Sequence, residues 1–256
     1  MNFELPKEVV NATRINPKKI IIFSAVKTGK SEAVSRLKDN LILDLEDGSG
    51  YINGLIINVL DIAKKEDITP LAALRLVINK IKSSNKEKGG YTYKYITIDT
   101  VSAMEENYSI ELALRLYKDT VQGRNFQGDD VRKLPNGNGW QYVREAVQMI
   151  LNELEQLCET LIILGHTKEK LVDFNGEELT QKGLDLAGKL SSIVCAESDA
   201  IAYLYRKDNQ TIANFQPSES LTVGARPLHL KNRKIVLLES DEEGNITSHW
   251  DKIFLD

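Results

Sequence analysis

A polar loop that directly follows a short apolar strand constrains this 256-residue chain more than any other feature. The apolar run is Ile20 to Phe23, and the loop after it reads Ser24, Ala25, Val26, Lys27, Thr28, Gly29, Lys30 and Ser31. The loop matches the phosphate-binding pattern G-x-x-x-x-G-K-[ST] at every fixed position but the first, where Ser24 replaces glycine. Because serine tolerates tight turns through local hydrogen bonds, we interpret it as a variant of this loop. The sequence therefore predicts a strand, a loop whose backbone N–H groups surround a di- or triphosphate, and a helix.

The last two residues of the loop carry the side chains expected to act on a bound nucleotide. Lys30 is predicted to reach the β- and γ-phosphates, and the Ser31 hydroxyl to coordinate Mg²⁺. The alternative is a chance match in an ordinary polar loop. The position of the loop between an apolar strand and an amphipathic helix favours phosphate binding, because the motif requires that context.

Apolar strands alternate with amphipathic helices over most of the chain. This alternation predicts an α/β fold with a mostly parallel central sheet flanked by helices. The predicted strands are Lys19–Phe23, Leu41–Leu45, Tyr95–Asp99, Leu161–Leu164 and Ala200–Tyr205, and the predicted helices are Lys30–Leu37, Pro70–Ile81, Met104–Lys118 and Trp140–Glu159.

The pattern changes to β-hairpins after His166. Asn175-Gly176 and Asp208-Asn209 each separate two strand-like runs, as hairpin turns do. A third pair of runs, Ile235–Leu238 and Asn245–Trp250, flanks an acidic turn. Since no linker or repeat interrupts the chain, residues 1–256 are predicted to form a single domain.

Composition limits the partners and the compartment. The net charge of −4 gives no global electrostatic reason to bind DNA, although it does not exclude local basic patches. No apolar stretch approaches the roughly 18 residues that cross a bilayer. The first residues carry acids and lack the apolar core of a signal peptide, and Cys158 and Cys195 lack metal-binding spacing. We expect a cytoplasmic protein without a membrane segment.

Asp99 ends an apolar strand, where an open parallel sheet binds its ligands. A carboxylate at this position is predicted to hold Mg²⁺ and to accept a hydrogen bond from Ser31. The alternative is that Asp99 caps the following helix beside Thr100.

Glu46 is predicted to end the second strand and to activate a water molecule for phosphoryl transfer. A period of two places Asp44 on the same face, so Asp44 is the alternative base. Glu46 is favoured because it lies nearer the end of the strand. A third interpretation makes both of them ordinary turn acids before Gly48.

Two further segments carry side chains of interest. His166 is predicted to end the fourth strand, where it either contacts the γ-phosphate or merely caps the strand. The loop Gln122–Gly139 is rich in glycine and contains Arg124, Arg132 and Lys133. It is interpreted either as a disordered DNA-contacting loop or as a solvated connection.

Four short motifs together resemble those of the RecA-like P-loop ATPases. They are Lys30-Ser31, the run Leu-Asp-Leu-Glu that ends at Glu46, Ile-Asp-Thr at Asp99, and Ile-Leu-Gly-His at His166. The chain looks closest to the phage-encoded AAA_24 or Sak-type ATPases of single-strand annealing recombination. The resemblance spans about residues 17–238, and the phosphate loop is its most specific part.

This resemblance implies ATP and Mg²⁺ as ligands, and a ring or filament of identical subunits. It also implies single-stranded DNA as a partner, the His166 strand between those of the phosphate loop and Asp99, and, for a phage protein, the host cytoplasm. The late basic residues look like the family's Lys-x-Arg element, so Lys231 and Arg233 are predicted to act on a neighbouring subunit's ATP. Both are expected on one face of a strand within Leu228–Leu238. The alternative is a solvated edge strand that charge protects from aggregation.

The sequence is compatible with three classes of function. The first is a DNA-stimulated ATPase of phage replication or recombination, which contacts single strands through Gln122–Gly139 and Lys168–Gly188 with stacking by Phe126 or Phe174. The second is a small-molecule or nucleotide kinase, and the third a nucleotide-dependent assembly or packaging factor. The acid and the histidine at two strand ends favour water as the acceptor.

Overall fold

In the computed structural model, which describes residues 4–5, 7–174 and 176–255, eleven strands form one sheet. The strand order is β11-β10-β8-β7-β1-β5-β4-β2-β3, with β6 paired to β5 and β9 to β7. The strands are β1 Lys19–Ser24, β2 Asn40–Asp44, β3 Leu55–Asn58, β4 Tyr95–Asp99, β5 Thr160–Phe174, β6 Glu177–Leu184, β7 Ala200–Lys207, β8 Gln210–Asn214, β9 Gly224–Ala225, β10 Lys234–Ser240 and β11 Ile246–Ser248.

The centre of the sheet is parallel. Strands β7, β1, β5, β4, β2 and β3 run side by side in one direction, and β8, β10 and β11 extend the β7 side in antiparallel fashion. The apolar central strands fit this position, because a parallel sheet is covered on both faces. The predicted mostly parallel sheet with C-terminal hairpins is confirmed, and β5 lies between β1 and β4 as the resemblance implies.

Helices cover the two faces of the sheet. Their bounds are α1 Lys30–Ser35, α2 Val59–Glu66, α3 Pro70–Lys88, α4 Val101–Ala103, α5 Ser109–Lys118, α6 Trp140–Glu155 and α7 Leu190–Glu197. One core packs beneath α2, α3, α6 and α7, and the other beneath α1 and the C-terminal turn. The Trp250 indole donates to the Ala33 carbonyl at 2.8 Å and so fixes that turn on α1.

Some elements differ from the sequence-based predictions. The predicted helix Met104–Lys118 begins earlier, because α4 and a π-helical turn over Met104–Tyr108 precede α5. The edge strand β3 and the helices α2 and α7 were not predicted, since each is short and lacks a long periodic pattern.

The three predicted hairpins are present as strand pairs. β5 pairs with β6, β7 with β8, and β10 with β11. Asn175, in the first predicted turn, lies outside the described residues.

Two predicted strand ends were wrong. β2 stops at Asp44, so Glu46 lies beyond it in a bend. His166 does not end its strand, because β5 continues to Phe174 after its pairing with β1 stops at His166. The chain leaves the main sheet there and pairs with β6 from Thr167 onward.

Candidate nucleotide site

The predicted phosphate loop lies at the carboxyl end of β1. β1 ends at Ser24 and α1 begins at Lys30, so the loop makes one tight reversal between them. Lys27 and Gly29 both have positive φ, at 59° and 98°. Such residues turn successive N–H groups toward one side and form the concavity that suits an anion.

Lys30 points back across the loop and is buried. Its Nζ donates to Ser24 Oγ at 3.1 Å and to the Ala25 carbonyl at 3.4 Å. Burial lowers the pKa of Lys30, and the charges of Asp99 and Glu46 partly oppose that shift. Ser24, at the atypical first position, thus supplies a hydroxyl that holds the ammonium inside the loop.

Ser31 and Asp99 meet as the sequence predicts. The Ser31 hydroxyl donates to Asp99 Oδ2 at 2.5 Å, although the two residues are far apart in sequence. The helix cap beside them is Thr100, whose side chain accepts from Ala103 N, so the interpretation of Asp99 as that cap was wrong. A hydroxyl and a carboxylate at this separation fit the few protein ligands that Mg²⁺ takes beside phosphate oxygens.

The buried Asp99 carboxyl is hard to ionise. Its pKa rises from 3.8 to about 6, chiefly through burial and further through the charges of Glu46 and Asp44. The hydrogen bond from Ser31 and the charge of Lys30 oppose the shift. Such a group gains from a bound cation that neutralises it.

Asp99→Asn is expected to stabilise the nucleotide-free protein above about pH 6. The folded-state pKa lies above the unfolded one, so the wild type loses stability as pH rises from about 4 to about 6, by up to about 3 kcal/mol. Asparagine removes that charge. In urea unfolding without Mg²⁺, the variant's gain in the free energy of unfolding over the wild type should be larger at pH 8 than at pH 4.5. A variant less stable than the wild type at pH 8 would contradict this account.

Asp44 and Glu46 have different environments. The Asp44 carboxylate is buried and accepts from the backbone N–H groups of Glu46, Gly48 and Ser49 at 3.0, 3.3 and 2.9 Å. These bonds turn the chain after β2, which is why the period of two does not extend to Glu46. Glu46 is exposed, accepts from the Thr100 hydroxyl, and has its Oε1 3.2 Å from His166 Nε2. Asp44 therefore organises the bend, and Glu46 presents a carboxylate at the site.

His166 lies beside the phosphate loop, opposite Ser24 in the register of β1 and β5. Its Nε2 contacts Glu46, while its Nδ1 is buried with no hydrogen-bond partner among the described residues. The histidine thus links the Glu46 carboxylate to the start of the β5–β6 hairpin.

Comparison with known proteins identifies the family. The AAA_24 family model, described as an AAA domain, matches residues 16–227, which hold the phosphate loop, Glu46, Asp99 and His166. The chain belongs to this AAA family. The prediction of a RecA-like P-loop ATPase is confirmed at that level, and this AAA domain is a nucleotide-binding ATPase by class.

The other comparisons are more distant. A solved KaiC-like protein from the hyperthermophilic archaeon Pyrococcus horikoshii OT3 matches at 11% identity and a TM-score of 0.41. The match covers 90% of this chain and 88% of that one. No curated protein matches this chain.

Lys231 lies in a turn and Arg233 in the irregular residue just before β10, so the prediction that they occupy a strand was wrong. β10 begins only at Lys234, and Asn232 has a positive φ of 58°, which breaks an extended run. Both cations are exposed. β7 and β8 separate β10 from β1, and three strand spacings amount to about 14 Å. At that distance neither side chain is placed to act on its own loop.

The basic residues of the Gln122–Gly139 loop are largely paired within it. The Arg132 guanidinium donates to both Asp130 oxygens, and Lys133 Nζ lies 2.9 Å from Asp129. Phe126 is half-buried and packs edge-on against Tyr117, with ring centroids 5.3 Å apart. The loop is a packed connection rather than a disordered one.

The second predicted DNA segment has an acidic balance. Residues 168–188 contain three lysines against five acidic residues. Lys168 pairs with Asp185 at 3.2 Å, and Lys182 with Glu169 at 3.5 Å. The side chain of Phe174 lies outside the described residues. No helix among the described residues combines the length and apolar character needed to cross a bilayer.

The sequence-based predictions missed one cation beside the loop. Arg206, near the end of β7, donates from Nε to the Thr28 carbonyl at 3.0 Å. Nothing local marks this arginine, because it reaches the loop only through the pairing of β7 with β1. The one available signal in the sequence was that Arg206 directly follows the fifth predicted strand, Ala200–Tyr205.

Proposed function

We propose that this AAA domain hydrolyses ATP with Mg²⁺ at the Ser24–Ser31 loop. The observation that carries the proposal is the contact between the Ser31 hydroxyl and Asp99, with the Glu46 carboxylate and Lys30 at the same sheet edge. Bound Mg²⁺ would neutralise phosphate charge and orient the phosphates. Ser31 and Asp99 would hold the ion, and Lys30 would bind the phosphate oxygens.

Glu46 is proposed to accept the proton of the attacking water. Thr100 donates to Glu46, and His166 lies against it, so the carboxylate has a fixed orientation. A base held in this way needs less reorganisation when the proton is transferred. In this proposal His166 positions Glu46. It also connects the nucleotide site, whether occupied or empty, to the β5–β6 hairpin.

The kinase alternative has less support. A kinase must bring an acceptor hydroxyl to the γ-phosphate, whereas the exposed carboxylate at this site, Glu46, is already oriented by Thr100 and His166. An exposed acid at the site suits activation of water. An assembly factor would use the same site with slower turnover. The rate of ATP hydrolysis and the identity of the partner therefore distinguish it from a DNA-stimulated ATPase.

Single-stranded DNA is proposed as the partner of an oligomer, and the family resemblance is what supports it. The acidic balance of the hairpin implies weak binding with a shallow dependence on salt, since few cations would contact phosphates. The test is ATP turnover with and without an oligonucleotide at low salt, with oligomer size followed in parallel. Stimulation together with assembly is expected. No binding at low salt, with or without an ATP analogue, would remove DNA and favour the assembly factor.

Lys231 and Arg233 are proposed to act on the ATP of a neighbouring subunit, which requires a head-to-tail interface. We expect Arg233→Ala to lower turnover by about 10³-fold or more, as cations that stabilise the transition state do. Mixing Arg233→Ala with Lys30→Ala subunits should restore part of the activity, since each supplies what the other lacks. Lys234→Ala, an exposed neighbour, is the control and should stay active. No recovery in a mixture shown to co-assemble would argue against action in trans.

A further inference from the structure

The proposed hydrolysis leaves unused a guanidinium that lies against the phosphate loop. Besides its bond to the Thr28 carbonyl, Arg206 has Nη2 3.6 Å from Glu32 Oε2. A Cβ atom added to Gly29 would come within 2.9 Å of the same Nη2, so the guanidinium touches the loop backbone. The side chain is nevertheless 56% exposed. Arg206 is therefore held in place from one side and open to a ligand on the other.

The strand order decides which end of a nucleotide would pass Arg206. Ser31 and Asp99 mark the end of the site that takes the metal and the terminal phosphates, and Asp99 belongs to β4. β7, which carries Arg206, flanks β1 on the opposite side from β5 and β4. A nucleoside triphosphate is a linear molecule. With its terminal phosphates directed toward Asp99, its sugar and base leave the loop on the β7 side.

A polar groove begins at Arg206 on that side. Its volume is about 210 Å³, and it runs between α1 and the β7–β8 hairpin. Among the residues that line it are Glu32, Arg206, Asp208, Gln210 and Ile246. The carboxylates of Glu32 and Asp208 can accept from hydroxyl groups, which a ribose presents and a phosphate does not.

The partners of Arg206 bias it away from phosphate binding. Its Nε–H is already engaged by a carbonyl, and the nearby Glu32 carboxylate partly neutralises its charge. A guanidinium restrained at its edge still offers its planar face, which stacks on aromatic rings. The base of a nucleotide is such a ring.

We infer that Arg206 and this groove form the nucleoside subsite of the proposed ATP site. Arg206 packs its planar face on the base, and the carboxylates of Glu32 and Asp208 accept from the ribose hydroxyls. This inference rests on the proposed function and adds the recognition of the sugar and base to that of the phosphates.

The test compares ATP with inorganic tripolyphosphate, each with Mg²⁺, by calorimetric titration. For Arg206→Ala we expect ATP to bind about tenfold more weakly, as for loss of a stacking contact with the base, and tripolyphosphate to bind within about twofold of the wild type. Arg206→Lys should behave like the alanine variant, since lysine lacks the planar face. Arg36→Ala is the matched control, because Arg36 lies 3.3 Å from the same Glu32 on the other side, and it should bind both ligands normally.

The outcomes separate the inference from the proposed function. Equal weakening of ATP and tripolyphosphate, or rescue by lysine, would make Arg206 a phosphate ligand and overturn the nucleoside subsite. Unchanged binding of both ligands would reduce the arginine to a surface ion pair and overturn it as well. If the wild type bound neither ligand while Lys30→Ala behaved identically, the nucleotide site itself would fail.

Discussion

Lys30→Ala is expected to abolish ATP hydrolysis, with a loss of at least about 10²-fold, while the protein stays folded. The ammonium lies inside the loop, where Ser24 Oγ and the Ala25 carbonyl hold it. Burial lowers the pKa of Lys30, so its charge is costly to the empty loop and its loss should not reduce stability. Phosphate release and thermal unfolding measure the two effects.

Lys27→Asn is the matched control for Lys30→Ala. Lys27 is an exposed lysine of the same loop with a φ of 59°, and asparagine tolerates that conformation. The control should retain most of the activity. A Lys30→Ala protein that hydrolysed ATP at the wild-type rate would show that the loop is not the site.

Glu46→Gln is expected to keep nucleotide binding and to lose about 10²- to 10⁴-fold of the hydrolysis rate. The amide preserves size and the hydrogen bond from Thr100, but it cannot take a proton from water. Binding of a fluorescent ATP analogue and single-turnover phosphate release measure the two quantities separately.

Asp44→Asn gives the contrast for Glu46→Gln. Asp44 accepts from three backbone N–H groups, so its amide variant should lower the unfolding midpoint more than the Glu46 variant does. A folded Asp44→Asn protein whose rate falls further than that of Glu46→Gln would move the base to Asp44.

The parts of the site that the sequence predicts are those with a local signature. A short stretch of sequence encodes each of these elements: the phosphate loop, its flanking strand and helix, and the Asp99 strand. Periodicity and residue spacing are therefore sufficient to predict them. The contact between Ser31 and Asp99 follows from the rule that parallel strands gather their carboxyl ends at one edge.

The remaining features depend on contacts between distant segments. Glu46 leaves its strand because Asp44 binds the N–H groups after it, which a period of two does not reveal. His166 lies within a longer strand because β6 pairs with the second half of β5, from Thr167 to Phe174. Arg206 reaches the loop through a strand pairing across most of the chain. In each case a hydrogen bond that the local pattern does not contain decides the position.

The most direct test of the account is phosphate release from ATP by the purified protein as Mg²⁺ is varied. Because Ser31 and Asp99 are proposed to hold Mg²⁺ together with the phosphates, turnover should require Mg²⁺, vanish in EDTA, and disappear in Lys30→Ala at every Mg²⁺ concentration. A wild-type protein that released no phosphate at any concentration of Mg²⁺, protein or DNA would contradict ATP hydrolysis at this site. Turnover that persisted in EDTA would contradict the assignment of Ser31 and Asp99.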